Sequence, residues 1–211
     1  MLVAFVTFTV ASVLIVLLPG PDSLVVVRGL VRGGRRGGAT TATGVLCGLV
    51  VWVAATALGL SALLQASEIG YDALKIAGAI YLIWIGVRSL LSIRRPAEEV
   101  ATHGDGPMAP GRVLGGSGFV AGFVTDLLNP KVGVFFVSFL PGFVPDGYAV
   151  GWTTFGLGLW FAVLTAVYFL GLIALSGKVS AWMRSPRIRR RLDAATGLVI
   201  VGFGVRLATE T

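Results

Sequence analysis

Six stretches of this chain are each long enough to cross a bilayer and nearly free of charge: about 2–27, 39–64, 73–92, 116–140, 148–176 and 191–207. A hydrocarbon layer about 30 Å thick is spanned by about 20 apolar residues of helix. Inside it every N–H and C=O must find a partner, so a run of this length has to be helical. The expected fold is therefore an all-α integral membrane protein with six transmembrane helices, a single domain over 1–211. Only 13% of the residues are charged, about half the share of a soluble domain. The longest polar stretch, 94–115, is too short to fold alone and reads as a linker.

The formal net charge of +7 raises nucleic acid as a partner, and its distribution argues against it. Fourteen of the seventeen basic residues fall in three clusters, around Arg28–Arg36, Arg88–Arg112 and Lys178–Arg191, each between apolar segments. That is the positive-inside pattern, with anionic lipid as counter-charge. The connections at 65–72 and 141–147 carry Glu68, Asp72 and Asp146 and no basic residue. Six spans with basic connections in the cytoplasm place both termini outside. No Lys or Arg precedes Arg28, so the first span lacks the basic start of a signal peptide and is kept as mature. Ser185 and Pro186 suit the cap and first turn of the sixth span.

The two halves resemble each other in order. "LKIAGAIYLIWIGVR" (74–88) and "LDAATGLVIVGFGVR" (192–206) align at an offset of 118, "GLVVW" and "GLGLW" at 108, and Pro21 with Pro130 at 109. Repeat 1 covers about 1–93 and repeat 2 about 116–211. Three spans per unit is an odd number, so the second copy enters the membrane upside down, an inverted repeat of the kind used by secondary transporters.

Equivalent interruptions mark both halves. Continuous helix from Leu2 to Val27 would run about 39 Å, yet Pro19, Gly20 and Pro21 remove two backbone donors and break it. In the fourth span Asn129 suits a cap and Pro130 the first residue of a second half-helix. Helices 1 and 4 are thus expected to be broken at Pro-Gly-Pro and Asn-Pro-Lys, the best sequence pointer to a transporter's binding site. Asp22 in a first turn favours the helix dipole, whereas Lys131 in the same place opposes it. Asp126 and Lys131 at mid-membrane would oppose insertion by about 5–7 kcal/mol, against about 4–8 kcal/mol returned by the neighbouring Phe, Val and Leu. Such charges must face the interior, pair, or meet water. Ser23 and Thr125 could add hydrogen bonds.

Other chemistry finds little support. Cys47 is the single cysteine and His103 the single histidine, so no metal site, cofactor or disulfide framework is expected. No nucleophile–base constellation or phosphate loop is present, which disfavours an enzyme. Gly44/Gly48 and Gly118/Gly122 read as close-packing pairs. Trp52, Trp84 and Trp160 read as core, and Trp152 and Trp182 as interfacial.

On "LLPGPDSLVVVRGLVRGGRRGG", "LKIAGAIYLIWIGVRSL" and "GFVTDLLNPKVGVFFVSFLPGF", the sequence resembles the LysE/RhtB family of amino-acid exporters along nearly its whole length. The resemblance implies efflux of amino acids or close derivatives across the bacterial cytoplasmic membrane, driven by protons. Its motif positions are Pro19, Gly20, Pro21 and Asp22, then Asn129, Pro130 and Lys131. Gly142 replaces a common Gln, and Trp52 stands where a smaller or polar residue is usual. The expected mechanism is alternating access around the paired breaks, with the substrate carboxylate near Lys131 and its ammonium near Asp22 or Asp126. One of those acids carries the coupling proton. The small size suits a homodimer. The competing expectations are a passive channel for small zwitterions and a non-transporting scaffold.

Overall fold

The computed structural model describes residues 1–17, 20–66 and 116–176, with scattered residues between 73 and 87 and between 194 and 205. Pro19, the 94–115 linker with His103, and Ser185–Pro186 lie outside the described residues, as do most residues of the third and sixth expected spans and their basic connections. Every described element is helical: α1 (Leu2–Leu17), α2 (Pro21–Ala66), α3 (Phe119–Leu127), α4 (Pro130–Val134) and α5 (Val150–Ala174). A turn of π-helix (Phe135–Phe139) and one of 3₁₀-helix (Leu140–Phe143) continue α4. The described residues within 73–87 and 194–205 are helical too.

The chain of α2 doubles back. Gly33 and Gly34 have non-helical backbone angles, and Gly34 has φ 58°, a region that favours glycine. Residues eight apart on a straight helix are about 12 Å apart. Here a Cβ on Gly29 would lie 2.7 Å from the Gly37 carbonyl oxygen, so the two limbs of α2 pack face to face across a tight reversal. The first limb, from Pro21 to Arg32, is about 18 Å of helix and α1 about 24 Å. Neither crosses about 30 Å of hydrocarbon alone.

Three described stretches have the length and apolarity for a membrane: Pro21–Gly59 with its reversal, Val150–Ala174, and Phe119–Leu127 with Lys131–Val137, bent by 52°. Large apolar side chains lie exposed along α1, α2 and α5, and Trp152 is 80% exposed. Such surfaces are rare on soluble monomers and ordinary against lipid. Trp84, expected in the core, is also exposed. Trp52 and Trp160 pack against the core instead.

The second limb of α2 is the spine, lying between α3 and α5. Thr41, Gly44, Val45, Gly48 and Trp52 recur at helical spacing and turn one face to α3. Gly44 abuts the backbone of Phe119 and Phe123, and Gly122 abuts the backbone of Thr41 and Val45. The pair at 44 and 48 therefore does pack as small residues allow. Gly118 differs: a Cβ there would meet nothing within 4 Å, and its φ of 108° serves the turn into α3. The Thr41 hydroxyl accepts the Gly118 N–H at 2.8 Å. On the other side Gly158 of α5 meets Val53 and Phe136. An aromatic cluster of Phe8, Phe135, Phe136, Phe139, Phe143 and Phe161 closes one end, with Phe135 and Phe161 centroids 4.7 Å apart.

Gly122→Ala should destabilise the fold by about 1–3 kcal/mol, because backbone rather than a flexible side chain must yield. Gly156→Ala, where nothing lies within 4 Å, should be neutral or stabilising by up to about 1 kcal/mol. Thermal unfolding of the two variants in detergent checks the contrast.

Candidate functional site

Helix α1 stops at Leu17 and α2 starts at Pro21, with Gly20 non-helical between them. The last four carbonyls of α1 have no donor in their own helix. One of them, Ile15 O, accepts a hydrogen bond from the Lys131 ammonium at 3.1 Å. A cation at a helix C-terminus meets the negative end of its dipole. This resolves the lysine's awkward place at the start of α4: its charge serves another helix. A Cβ on Gly20 would lie 3.3 Å from Lys131 Nζ, so glycine leaves room for the ammonium to reach α1.

The second interruption is built around Asn129, which is fully buried. Its Oδ1 accepts the Lys131 backbone N–H at 3.1 Å, capping α4, which opens with Pro130. Its Nδ2 donates to Asp22 Oδ2 at 2.7 Å. The two contacts together fix which way the amide points. Asp22 lies in the first turn of α2, where a carboxylate favours the dipole. It is also the anion that acts on the Lys131 ammonium. Acid, amide and ammonium thus come from two distant interruptions to one place.

Asp126 sits beside this group. It is fully buried on α3, against Gly48 of α2, where a Cβ would fall 2.5 Å from Asp126 Oδ2. Asp22 is the neighbouring charge that acts on it. Neither Asp126 carboxyl oxygen, nor Asp22 Oδ1, has a hydrogen-bond donor among the described residues. A buried carboxyl left in that state is costly, so a proton, a water, a ligand or a group outside the described residues completes it.

A cavity of about 30 Å³ opens between α1, α2, α4 and α5. It is room for a water or two and too small for an amino acid in this conformation. Asp22, Ser23, Lys131, Thr165 and Tyr168 supply its polar wall, and apolar side chains including Leu49 and Phe161 the rest. The Tyr168 hydroxyl donates to Ser23 Oγ at 3.3 Å.

Of the residues expected from sequence, Gly20, Asp22, Ser23 and Lys131 line the cavity. Asn129 braces it from behind, and Pro21 and Pro130 open the helices that carry it. Asp126 is near but does not line it. Thr125 is buried on α3. Sequence reasoning missed Thr165 and Tyr168. A signal was available, since Thr154, Gly158, Phe161 and Thr165 recur at steps of three and four and mark the inward face of α5.

Asn129→Ala should cost about 1–3 kcal/mol, as it strands the Lys131 N–H and Asp22 Oδ2 together. The exchange Asp22→Asn with Asn129→Asp keeps one donor facing one acceptor and keeps the cap. It should recover most of that loss in thermal unfolding.

A family model described as LysE type translocator matches residues 13–211. An uncharacterised membrane protein of Pseudomonas aeruginosa is 33% identical over 219 residues, covering 98% of this chain and 95% of that protein. The leucine efflux protein of Enterobacter sp. (strain 638) is 29% identical, covering 97% of this chain and 95% of that protein. The threonine efflux protein of Escherichia coli K12 is 26% identical, covering 98% of each. No solved structure matches.

Proposed function

This chain belongs to the LysE type translocator family and is a membrane transporter, not an enzyme; on that premise we propose that it exports amino acids or close derivatives from the cytoplasm by proton-coupled alternating access. The observation that carries the proposal is the meeting of Asp22, Asn129 and Lys131, from two separate helix interruptions, at one cavity. A zwitterion needs a cation and an anion a few ångströms apart, and this centre supplies both. The substrate carboxylate goes to the Lys131 ammonium at the start of α4. Its ammonium goes to Asp22 or Asp126. In this conformation one N–H of the Lys131 ammonium is bonded to the Ile15 carbonyl, a bond that a substrate carboxylate would replace.

The proton belongs to the acid pair. Two carboxyl groups side by side, with three oxygens lacking donors among the described residues, are relieved by one proton held between them. A proton arriving from outside would free the substrate's ammonium, and its release inside would reset the pair. Leucine and threonine, named by two relatives, are the first substrates to try.

The proposed frame is six spans in two inverted three-helix repeats, in the bacterial cytoplasmic membrane with both termini outside, active as a homodimer. Helices 1 and 4 are the interrupted ones. A reciprocal contact supports the repeat. Trp52 and Trp160 occupy matching places in the two halves, and each indole donates into the other half's first helix, at Asp126 O and Thr9 Oγ1. Movement of one half against the other would then open the cavity to alternate sides. The Lys131–Ile15 bond also favours a second reading, in which the charges only hold the halves together.

Uptake of labelled leucine and threonine into everted vesicles separates the two. Lys131→Ala and Asp126→Asn should each lower gradient-driven uptake by about tenfold to a hundredfold at equal protein level, as loss of a charged hydrogen bond implies. Full transport in both variants would leave the static reading standing.

A further inference from the structure

The carbonyl of Asp126 has an unusual neighbour. In an uninterrupted helix it would accept the N–H of residue 130, and residue 130 is a proline with no N–H to give. The Asn129 N–H takes part of that place at 3.0 Å. The other donor comes from a different helix: Trp52 Nε1 on α2 donates to the same carbonyl at 3.3 Å. The far edge of the same indole lies on α4, since a Cβ on Gly133 would fall 3.0 Å from Trp52 Cη2 and 3.1 Å from Cζ2. One rigid ring therefore touches both sides of a 52° bend. One turn earlier on the same face, Gly48 receives the Asp126 side chain.

We propose that Trp52 is a positioning residue that latches the interruption between α3 and α4, seating the carbonyl that Pro130 leaves without its helical donor and so fixing where the Asp126 carboxyl stands. The indole N–H holds the end of α3, while Gly133 lets the ring lie flush on the start of α4. A residue with no donor could fill the space but not hold the carbonyl. A larger residue at 133 would push the ring off it. Trp160, whose indole bonds Thr9 of α1 and not the Asp126 carbonyl, has no such part.

The link to transport rests on the export mechanism above, so the test has two arms. In the first, amide hydrogen exchange is followed by mass spectrometry in purified full-length protein. Trp52→Phe and Gly133→Ala should speed exchange across 128–134 by about tenfold, on the scale of one lost hydrogen bond, and Trp160→Phe should not. Wild-type exchange there in Trp52→Phe would overturn the latch, even if leucine and threonine prove not to be substrates. In the second arm, the same proteins in liposomes are assayed with labelled leucine and threonine. Gradient-driven flux should fall by about threefold to tenfold in Trp52→Phe and Gly133→Ala, while gradient-free counterflow stays within about twofold. Faster exchange with unaltered gradient-driven flux would overturn the positioning role. Absence of all flux in the wild type would sink the export mechanism instead, leaving the exchange arm to decide on Trp52.

Discussion

The side chain of Asn129 joins two helix interruptions that lie more than a hundred residues apart in sequence, and the polar centre is organised around that joint. In hydrocarbon a free N–H or C=O costs several kcal/mol. An interrupted helix is therefore tolerable only if each freed group finds a partner. Asn129 provides two at once, capping α4 with its oxygen and holding Asp22 with its nitrogen. Lys131 provides the third by reaching back to the end of α1. The end of α1 is completed by Lys131 and Asp22 at the start of α2 is held by Asn129, both from the other interruption. The breaks are mutually dependent, which explains how a charged centre survives among so many Phe, Val and Leu side chains.

Close backbone approach makes this geometry reachable. Gly44 and Gly122 let α3 lie on α2 with main chain against main chain, Gly48 makes room for the Asp126 side chain, and Gly20 and Gly133 clear space for Lys131 and Trp52. Association of helices in lipid cannot rely on a hydrophobic drive, so such packing and interhelical hydrogen bonds do that work. The same features allow movement. Bonds between helix ends and side chains can be exchanged for bonds to a substrate more readily than a continuous helix can be broken.

Much of this was legible in the sequence because lipid imposes simple rules. Apolar runs of span length are readable by length alone, and Pro19-Gly20-Pro21 and Asn129-Pro130 announce their own consequences. Asn129 as a cap with Pro130 at the first helical position needed only local chemistry. What was not legible depended on which faces meet. Lys131 looked misplaced because its partner, the Ile15 carbonyl, is a backbone group that carries no sequence mark. Trp52 looked like core because its donor role depends on a proline nearly eighty residues away. The reversal at Gly33–Gly34 was masked by its basic, glycine-rich surroundings, which read as a longer connection. Thr165 and Tyr168 hid among the many apolar residues of α5.

The central claim is that the two interruptions form one water-accessible cleft that takes an amino acid. Ser23→Cys in a Cys47→Ala background tests it most directly, since Ser23 is buried and lines the cavity. A small water-soluble thiol reagent should label this cysteine, and one or more amino acids should slow that labelling. A cysteine at the exposed Val10 of α1 should show no such protection. If none of the common amino acids alters labelling at 23, or if the thiol never reacts in folded protein, the cleft does not bind what this account requires.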